Sequence, residues 1–547
     1  MAEHIAEVAQ VALRRAPVAV LLIVAAAMAY GAALLVTRHV QELRGEGAVE
    51  APSALSGASS STPARLRATI AYTSLDAPGG AAVHSNVRWD DAWFSSDTAA
   101  YNHELAHTSS VLAALAYAES GYYQAGSDQP PYMEQALASL GFDEVDTTSY
   151  RYRSEVADEV LNLLTDDADA VAYTIARKRL RVEPGEDGQT APSDLIMVSV
   201  RGSYGSEWLS NLNMLPVVAA DADGDVASGG AASMRTAADG ADASGGELPM
   251  NASLHERIAA SIEDDLAEIQ ADLVAFTRPL TAMLEDWLAT AADLTGLAPE
   301  AEDPAQAIGS EAALALDGMN DHSGYFKAST EICHKLNDWI ADSHHRGAEV
   351  SVLVVGHSRG GAIANLVASE LDDQMAGTAP HAVGESAFGE VSAVYAYTFA
   401  APATTVRPDA RGERYGNIFN IVNPSDIMPY VPLRSWGYER YGVDLQLPAV
   451  EDEGFDARYQ AMQRAYKRSV GVESACDPSD ARAIAEVVDE VSGQVDSPRA
   501  LLTPSGVAAT VSACALRIDP VRVLYGHYPS AYVAWLEAVD AGDLTGA

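Results

Sequence analysis

The stretch VLVVGHSRGGAIANLVASEL, residues 352–371, decides how this chain folds. An apolar β-branched run over 350–355 predicts a buried strand, and the Ala/Leu-rich residues after Gly360 predict a helix. Between them, Gly-His-Ser-Arg-Gly fits the Gly-x-Ser-x-Gly turn, which holds a serine hydroxyl above the end of a sheet. The pattern is weak alone, but a strand before it and a helix after it predict that Ser358 is a nucleophile.

Chain order restricts the base that would activate this serine. In proteins with this turn, the acid follows the serine and the histidine follows the acid. After Ser358 the histidines are His381 and His527, and only His527 leaves room for a strand that carries the acid. The sequence therefore predicts His527 as the base.

The acid is predicted in NIFNIVNPSDIMPYVP, residues 417–432. Residues 418–422 form a strand candidate, and Asp426 follows it in a Pro/Ser turn, where a carboxylate can reach an imidazole and fix its tautomer. Asp444 and Asp409 are rivals that follow less clear strands. An ordinary turn-capping role for Asp426 stays open.

Two backbone positions are candidates for binding the oxyanion that forms during acyl transfer. One is the N–H of Arg359, directly after the nucleophile. The other is Ser203, after Gly202 in VSVRGSYGSEW, at the end of an earlier strand candidate over 194–203. A plain Gly-Ser turn would leave the same pattern at Ser203.

Several blocks occur in the order seen in class 3 lipases, which include the secreted fungal triacylglycerol lipases. The chain resembles that family over most of 101–215 and 321–435, with a short piece at 527. The blocks are VRGSYGSEW, HSGYFKAS, VLVVGHSRGGAIANLVA, YTFAAPATT, NIVNPSDIMPYVP and GHYPSAY.

The resemblance implies an α/β-hydrolase fold with a mostly parallel sheet, and serine-dependent hydrolysis of lipid esters without cofactor or metal. It implies a triad of Ser358, Asp426 and His527, and an oxyanion hole formed by Ser203 and Arg359. His322 resembles a family position before a helix and is interpreted as structural.

Three departures limit what the resemblance carries over. The family usually has leucine at position 359, which should change the pocket wall but not the backbone N–H. An insert over about 216–320 falls where relatives carry their lid, and the interval from Asp426 to His527 is long. Within the insert we expect a flexible acidic segment at about 219–250 and a helical segment at about 251–320. The amphipathic helices over 252–295 would form either a mobile lid or a fixed cap.

The N-terminal region predicts a membrane-associated segment. Residues 16–36 carry no charge and are long enough to cross a bilayer, after a tail over 1–15 that holds Arg14 and Arg15. A linker over 37–65 would then lead to the catalytic domain over 66–547. We expect a single-pass anchor in the cell membrane with the catalytic domain outside, or secretion after signal cleavage.

Composition excludes some functions. With 77 acidic against 34 basic residues, the net charge of -43 disfavours nucleic-acid binding. Two metal-like patterns, His103 with His107 and the aspartates near 221–225, lack the other ligands that zinc or calcium sites need. A bridge between Cys476 and Cys514 stays open for an extracellular domain.

The predicted catalytic residues together with the resemblance to class 3 lipases imply a lipid ester hydrolase, with a lipid or other ester as its partner. An acyltransferase or a non-lipid esterase with the same triad is an alternative. Another is an inactive tethered module that binds at a surface.

Overall fold

The computed structural model describes residues 64–77, 82–125, 132–152, 171–181, 192–202, 321–378, 386–501 and 504–546. The predicted tail, the apolar run at 16–36, the linker up to residue 63 and the insert at 219–320 lie outside these residues, as do Ser203 and His381. Among the helices that these ranges contain, none has the length and apolar character that crossing a membrane requires.

An eight-stranded sheet forms the centre of the described fold. Its spatial order is β10-β9-β8-β7-β6-β5-β4-β3, and the five strands from β5 to β9 are parallel, whereas β3, β4 and β10 pair antiparallel. A hairpin of β1 and β2 lies apart from this sheet. The strands are β1 Arg65–Thr73, β2 Ala82–Asp90, β3 Glu144–Asp146, β4 Tyr173–Leu180, β5 Ser193–Val200, β6 Glu349–His357, β7 Ala393–Phe399, β8 Ile418–Val422, β9 Val443–Gln446 and β10 Thr545–Gly546.

Helices connect and cover these strands. They are α1 His103–Ala125, α2 Tyr132–Ser139, α3 Thr148–Tyr152, α4 Ser323–His345, α5 Arg359–Met375, α6 Phe455–Val470, α7 Asp480–Gln494, α8 Pro498–Leu501, α9 Pro504–Arg517, α10 Pro520–His527 and α11 Pro529–Ala538.

The central strands are buried on both faces, which explains their nearly continuous apolar sequence. In β6, Leu353 and Val355 pack into a core shared with α1, whereas Val352 and Val354 pack into a second core shared with α4 and α5. Successive side chains of a strand point to opposite faces, so a parallel sheet between two helical layers needs apolar residues at every position. This arrangement fits the α/β-hydrolase fold that the sequence predicts.

The strands that carry the predicted site occur where the sequence places them. β6 begins one residue before the predicted 350–355 segment and continues to His357, and β8 has the predicted bounds. The long interval between Asp426 and His527 folds into β9 and the helices α6 to α10. The sequence analysis made no prediction for those helices.

Candidate active site

A strained turn presents Ser358 between β6 and α5. Its φ of 58° and ψ of -132° lie outside the regions that side chains favour, and among the described non-glycine residues only Ala400 shares a positive φ. A Cβ on Gly356 would lie 2.2 Å from the carbonyl oxygen of Gly360, and one on Gly360 would lie 2.3 Å from that of Val200. Both flanking positions therefore need glycine, because neighbouring backbone fills the space of a side chain.

The structure brings the three predicted triad residues together. His527, the last residue of α10, has its Nε2 2.9 Å from the Ser358 Oγ and its Nδ1 2.9 Å from the Asp426 Oδ2. All three side chains are buried. They come from three separate parts of the chain, in the order serine, acid, histidine.

Hydrogen bonds hold Asp426 in place after β8. The Tyr532 hydroxyl donates to its Oδ2 at 2.7 Å, and the backbone N–H of Met428 donates to its Oδ1 at 2.9 Å. Burial first, and then the nearby Asp426, raise the pKa of Tyr532 well above its usual value, so this phenol stays a donor. Each carboxylate oxygen thus faces a donor, as an acceptor-only group requires when it is buried.

The rival aspartates have other partners. Asp444 is buried against Arg440 and Arg411, with the Arg411 Nη2 2.7 Å from its Oδ2. Burial alone would raise the pKa of Asp444, but the two arginines outweigh it and hold that pKa well below its usual value. Asp409 is an exposed partner of Arg407. Neither contact involves His527.

Of the two candidates for the oxyanion hole, Arg359 lies within the described residues and Ser203 does not. Arg359 is the first residue of α5, where backbone N–H groups lack partners within the helix. Its side chain is buried, with 1% of its surface exposed. Ser203 lies outside the described residues, but Gly202 before it lies against the turn, since a Cβ there would be 2.6 Å from the His357 carbonyl oxygen.

Four further residues surround the triad, and none of them had a role predicted from the sequence. They are Tyr117, His357, Asn423 and Tyr532. The His357 Nε2 lies 2.8 Å from the backbone oxygen of His527, and its Nδ1 lies 2.9 Å from the Tyr117 hydroxyl. His357, Asn423 and Tyr532 lie within the sequence blocks that resemble class 3 lipases, so the sequence offered a signal for these three. Nothing in the sequence points to Tyr117.

Among the residues that the structure describes, the remaining candidate groups form neither a metal site nor a disulfide. Cys333, Cys476 and Cys514 are all free thiols, so the disulfide between Cys476 and Cys514 that the sequence left open is not formed. The His103 Nε2 contacts the backbone oxygen of Leu536 at 2.9 Å. No cluster of three or more metal-binding side chains occurs within the described residues. The aspartates near 221–225 lie outside them.

Part of the chain is similar to a known protein family. Residues 281–436 match the model of the family described as Lipase (class 3). No curated protein matches the chain. The match includes Ser358 and Asp426, whereas His527 lies beyond its end.

Solved lipase structures also resemble the chain, at low similarity. A Rhizomucor miehei lipase propeptide complex is 14% identical over 64% of this chain and 70% of its own, with a TM-score of 0.30. A triacylglycerol lipase described as having a serine protease triad is 13% identical over 64% of this chain and 82% of its own, with a TM-score of 0.29. Lipase II from Rhizopus niveus is 21% identical over 23% and 44%, with a TM-score of 0.18. Because these TM-scores are low, the structures carry no argument, and the resemblance to lipases rests on the sequence match. Over residues 281–436 the chain is similar to the class 3 lipases.

Proposed function

We propose that this protein hydrolyses carboxylic esters of lipids through a triad of Ser358, His527 and Asp426 and an acyl-enzyme intermediate. The observation that carries the proposal is the position of the His527 imidazole, with one nitrogen on the Ser358 Oγ and the other on Asp426, each at 2.9 Å. A base that contacts both the nucleophile and an orienting carboxylate is the arrangement that nucleophilic catalysis requires.

In the first half of the reaction, Asp426 accepts the Nδ1–H of His527, so Nε2 is left to accept a proton. The Ser358 Oγ transfers its proton to Nε2 and attacks the ester carbonyl carbon. The oxyanion that forms is stabilised by backbone N–H donors, for which the proposed residues are Arg359 and Ser203. His527 then gives its proton to the departing alcohol, leaving Ser358 acylated.

Water completes the cycle by the same groups in reverse order. His527 removes a proton from the water as it attacks the acyl carbonyl, and the second tetrahedral intermediate collapses to release the carboxylic acid. The proton on His527 returns to the Ser358 Oγ. These steps need only groups of the chain and water.

The lipid part of the proposal comes from the family match, whereas the triad alone is compatible with other acyl transfers. An acyltransferase would pass the acyl group to an alcohol instead of water. Product analysis with an alcohol acceptor in excess separates the two, since the free acid dominates for a hydrolase and the new ester dominates for a transferase. Comparison of a lipid ester with a soluble acetate ester separates a lipase from a non-lipid esterase.

Labelling by a fluorophosphonate probe tests the nucleophile directly. We expect the wild-type protein to be labelled and Ser358→Ala to be unlabelled, because the probe reacts only with an activated hydroxyl. Ser369→Ala is the matched control, since Ser369 is likewise a buried serine, but it lies within α5 and donates to the Leu366 carbonyl. If the probe does not label the folded wild-type protein, the proposed enzyme activity is wrong. The alternative, an inactive module that binds at a surface, is then favoured.

We further propose that residues 16–36 anchor the protein in the cell membrane with the catalytic domain outside, or act as a signal that is cleaved on secretion. The uncharged run after Arg14 and Arg15 supports this proposal. The full chain is expected to stay with membranes after alkaline carbonate extraction, whereas a version that lacks residues 1–36 is not. Release of a full chain with an intact N-terminus would contradict both forms, and N-terminal sequencing of a secreted product would show cleavage.

A further inference from the structure

His357 lies where three parts of the proposed site meet, although it has no role in the steps above. It is the last residue of β6, directly before Ser358, and its side chain is buried. Its ring packs edge-on against Tyr117 of α1 and Tyr532 of α11, and lies 4.9 Å from the ring of His527. A side chain in this position contacts the base and the residue that holds the acid.

The partners of the His357 ring fix which nitrogen carries the proton. Its Nε2 faces the His527 carbonyl oxygen at 2.8 Å, and a carbonyl can only accept. Nε2 is therefore the donor, and Nδ1 accepts from the Tyr117 hydroxyl at 2.9 Å. One neutral tautomer satisfies both contacts.

The carbonyl that His357 binds belongs to the end of a helix. His527 ends α10, and the last carbonyls of a helix have no donor within it. Two side chains supply donors there: the Asn423 Nδ2 binds the Gly526 oxygen at 2.8 Å, and His357 binds the His527 oxygen. A Cβ on Gly526 would lie 2.4 Å from the Ser425 oxygen, so this helix end is pressed against the loop that carries Asp426.

We propose that His357 is a positioning residue for the hydrolysis, because its Nε2–H holds the His527 backbone and thereby keeps the imidazole in line with Ser358 and Asp426. The inference rests on the proposed triad. His357 itself touches neither the substrate nor the proton in transit. Asn423 binds the neighbouring carbonyl of Gly526, so the backbone at the base is held by the last residue of β6 and by the residue directly after β8.

The charge state of His357 suits this role. Burial, and then the nearby His527 imidazole, lower the pKa of His357 well below its ordinary value. The titratable groups that face it are Tyr117, His527 and Tyr532, with Asp426 beyond Tyr532. Since this lowered pKa keeps His357 neutral at neutral pH, it donates one hydrogen bond without adding a positive charge beside the base.

Two substitutions separate the hydrogen bond from the bulk of the ring. His357→Leu removes the donor, whereas His357→Gln carries an amide N–H near the position of Nε2. We expect His357→Leu to lower kcat about 100-fold with KM changed less than twofold, the size of effect that a displacement of about 1 Å produces at a reacting group. We expect His357→Gln to recover most of that loss.

The kinetic parameters, measured at equal concentrations of folded protein, distinguish positioning from general weakening of the fold. If the His527 imidazole moves out of line, the chemical step slows while the ground-state binding of substrate is kept, so kcat falls and KM does not change. Asn417→Leu is the control, because it also removes a buried donor to a backbone carbonyl, that of Val394, and should leave kcat close to the wild-type value.

Failure of this inference and failure of the proposed function give different results. If the wild-type protein neither labels with fluorophosphonate nor turns over ester, the proposed function fails. If the wild type is active and His357→Leu keeps its kcat, His357 is not a positioning residue. A loss of kcat in His357→Leu that His357→Gln does not reverse, or that Asn417→Leu reproduces, also overturns the inference.

Discussion

Replacing His527 by alanine is expected to lower kcat roughly 10⁵-fold or more, with little change in KM. The imidazole Nε2 lies 2.9 Å from the Ser358 Oγ and is the group to which the serine proton moves. Without it the hydroxyl stays protonated and the leaving alcohol has no acid. The remaining rate would come from substrate binding and the oxyanion donors, which the substitution leaves in place.

The measurement is steady-state hydrolysis of a soluble ester and of a dispersed lipid ester, at equal concentrations of folded protein. His345→Ala is the control, since His345 is an exposed histidine at the end of α4. Activity of His527→Ala within tenfold of the wild type would show that another group is the base. His381, the other histidine after Ser358, would then be the residue to replace next.

This prediction also tests the part of the site that the family match does not reach. Ser358 and Asp426 lie inside residues 281–436, whereas His527 follows the helices α6 to α9. Its assignment from the sequence rests on the scarcity of histidines and the order of the triad. The 2.9 Å contacts with both partners are an independent reason to test it first.

How far the sequence predicts the structure depends on whether a feature is local. The turn at Ser358 is local, because a β-branched strand, two glycines and a helix within twenty residues determine it. The strand before Asp426 is local too, and β8 has the predicted bounds. The positions of the three triad residues therefore follow from short stretches and chain order.

Contacts between distant residues could not be predicted in this way. Tyr117 and His357 are 240 residues apart, and the bond between them depends on α1 packing against the parallel strands. The helices between Asp426 and His527 match no motif, so their role in bringing His527 back to the sheet is visible only in the fold. The sequence favours Asp426 over Asp444 only through the clearer strand before Asp426. The arginine partners that occupy Asp444 are visible only in the fold.

Replacing Asp426 by asparagine is expected to lower kcat about 10⁴-fold, because the amide moves the imidazole proton of His527 from Nδ1 to Nε2. The Met428 N–H donates to Oδ1, so the amide oxygen is held there and the NH₂ group faces the Nδ1 of His527. An NH₂ group can only donate, which makes Nδ1 an acceptor and puts the imidazole proton on Nε2. A protonated Nε2 cannot accept the serine proton.

Rotating the amide does not avoid this loss. The amide oxygen would then face His527, but the NH₂ group would oppose the Met428 N–H, donor against donor, in a site with no exposed surface at residue 426. Hydrolysis rates and the ¹⁵N chemical shifts of His527 measure the effect and the tautomer together, and Asp409→Asn, at an exposed carboxylate, is the control. An active Asp426→Asn with the wild-type tautomer would contradict the assignment, and it would move the acid to Asp444 if Asp444→Asn abolished activity while the protein stayed folded.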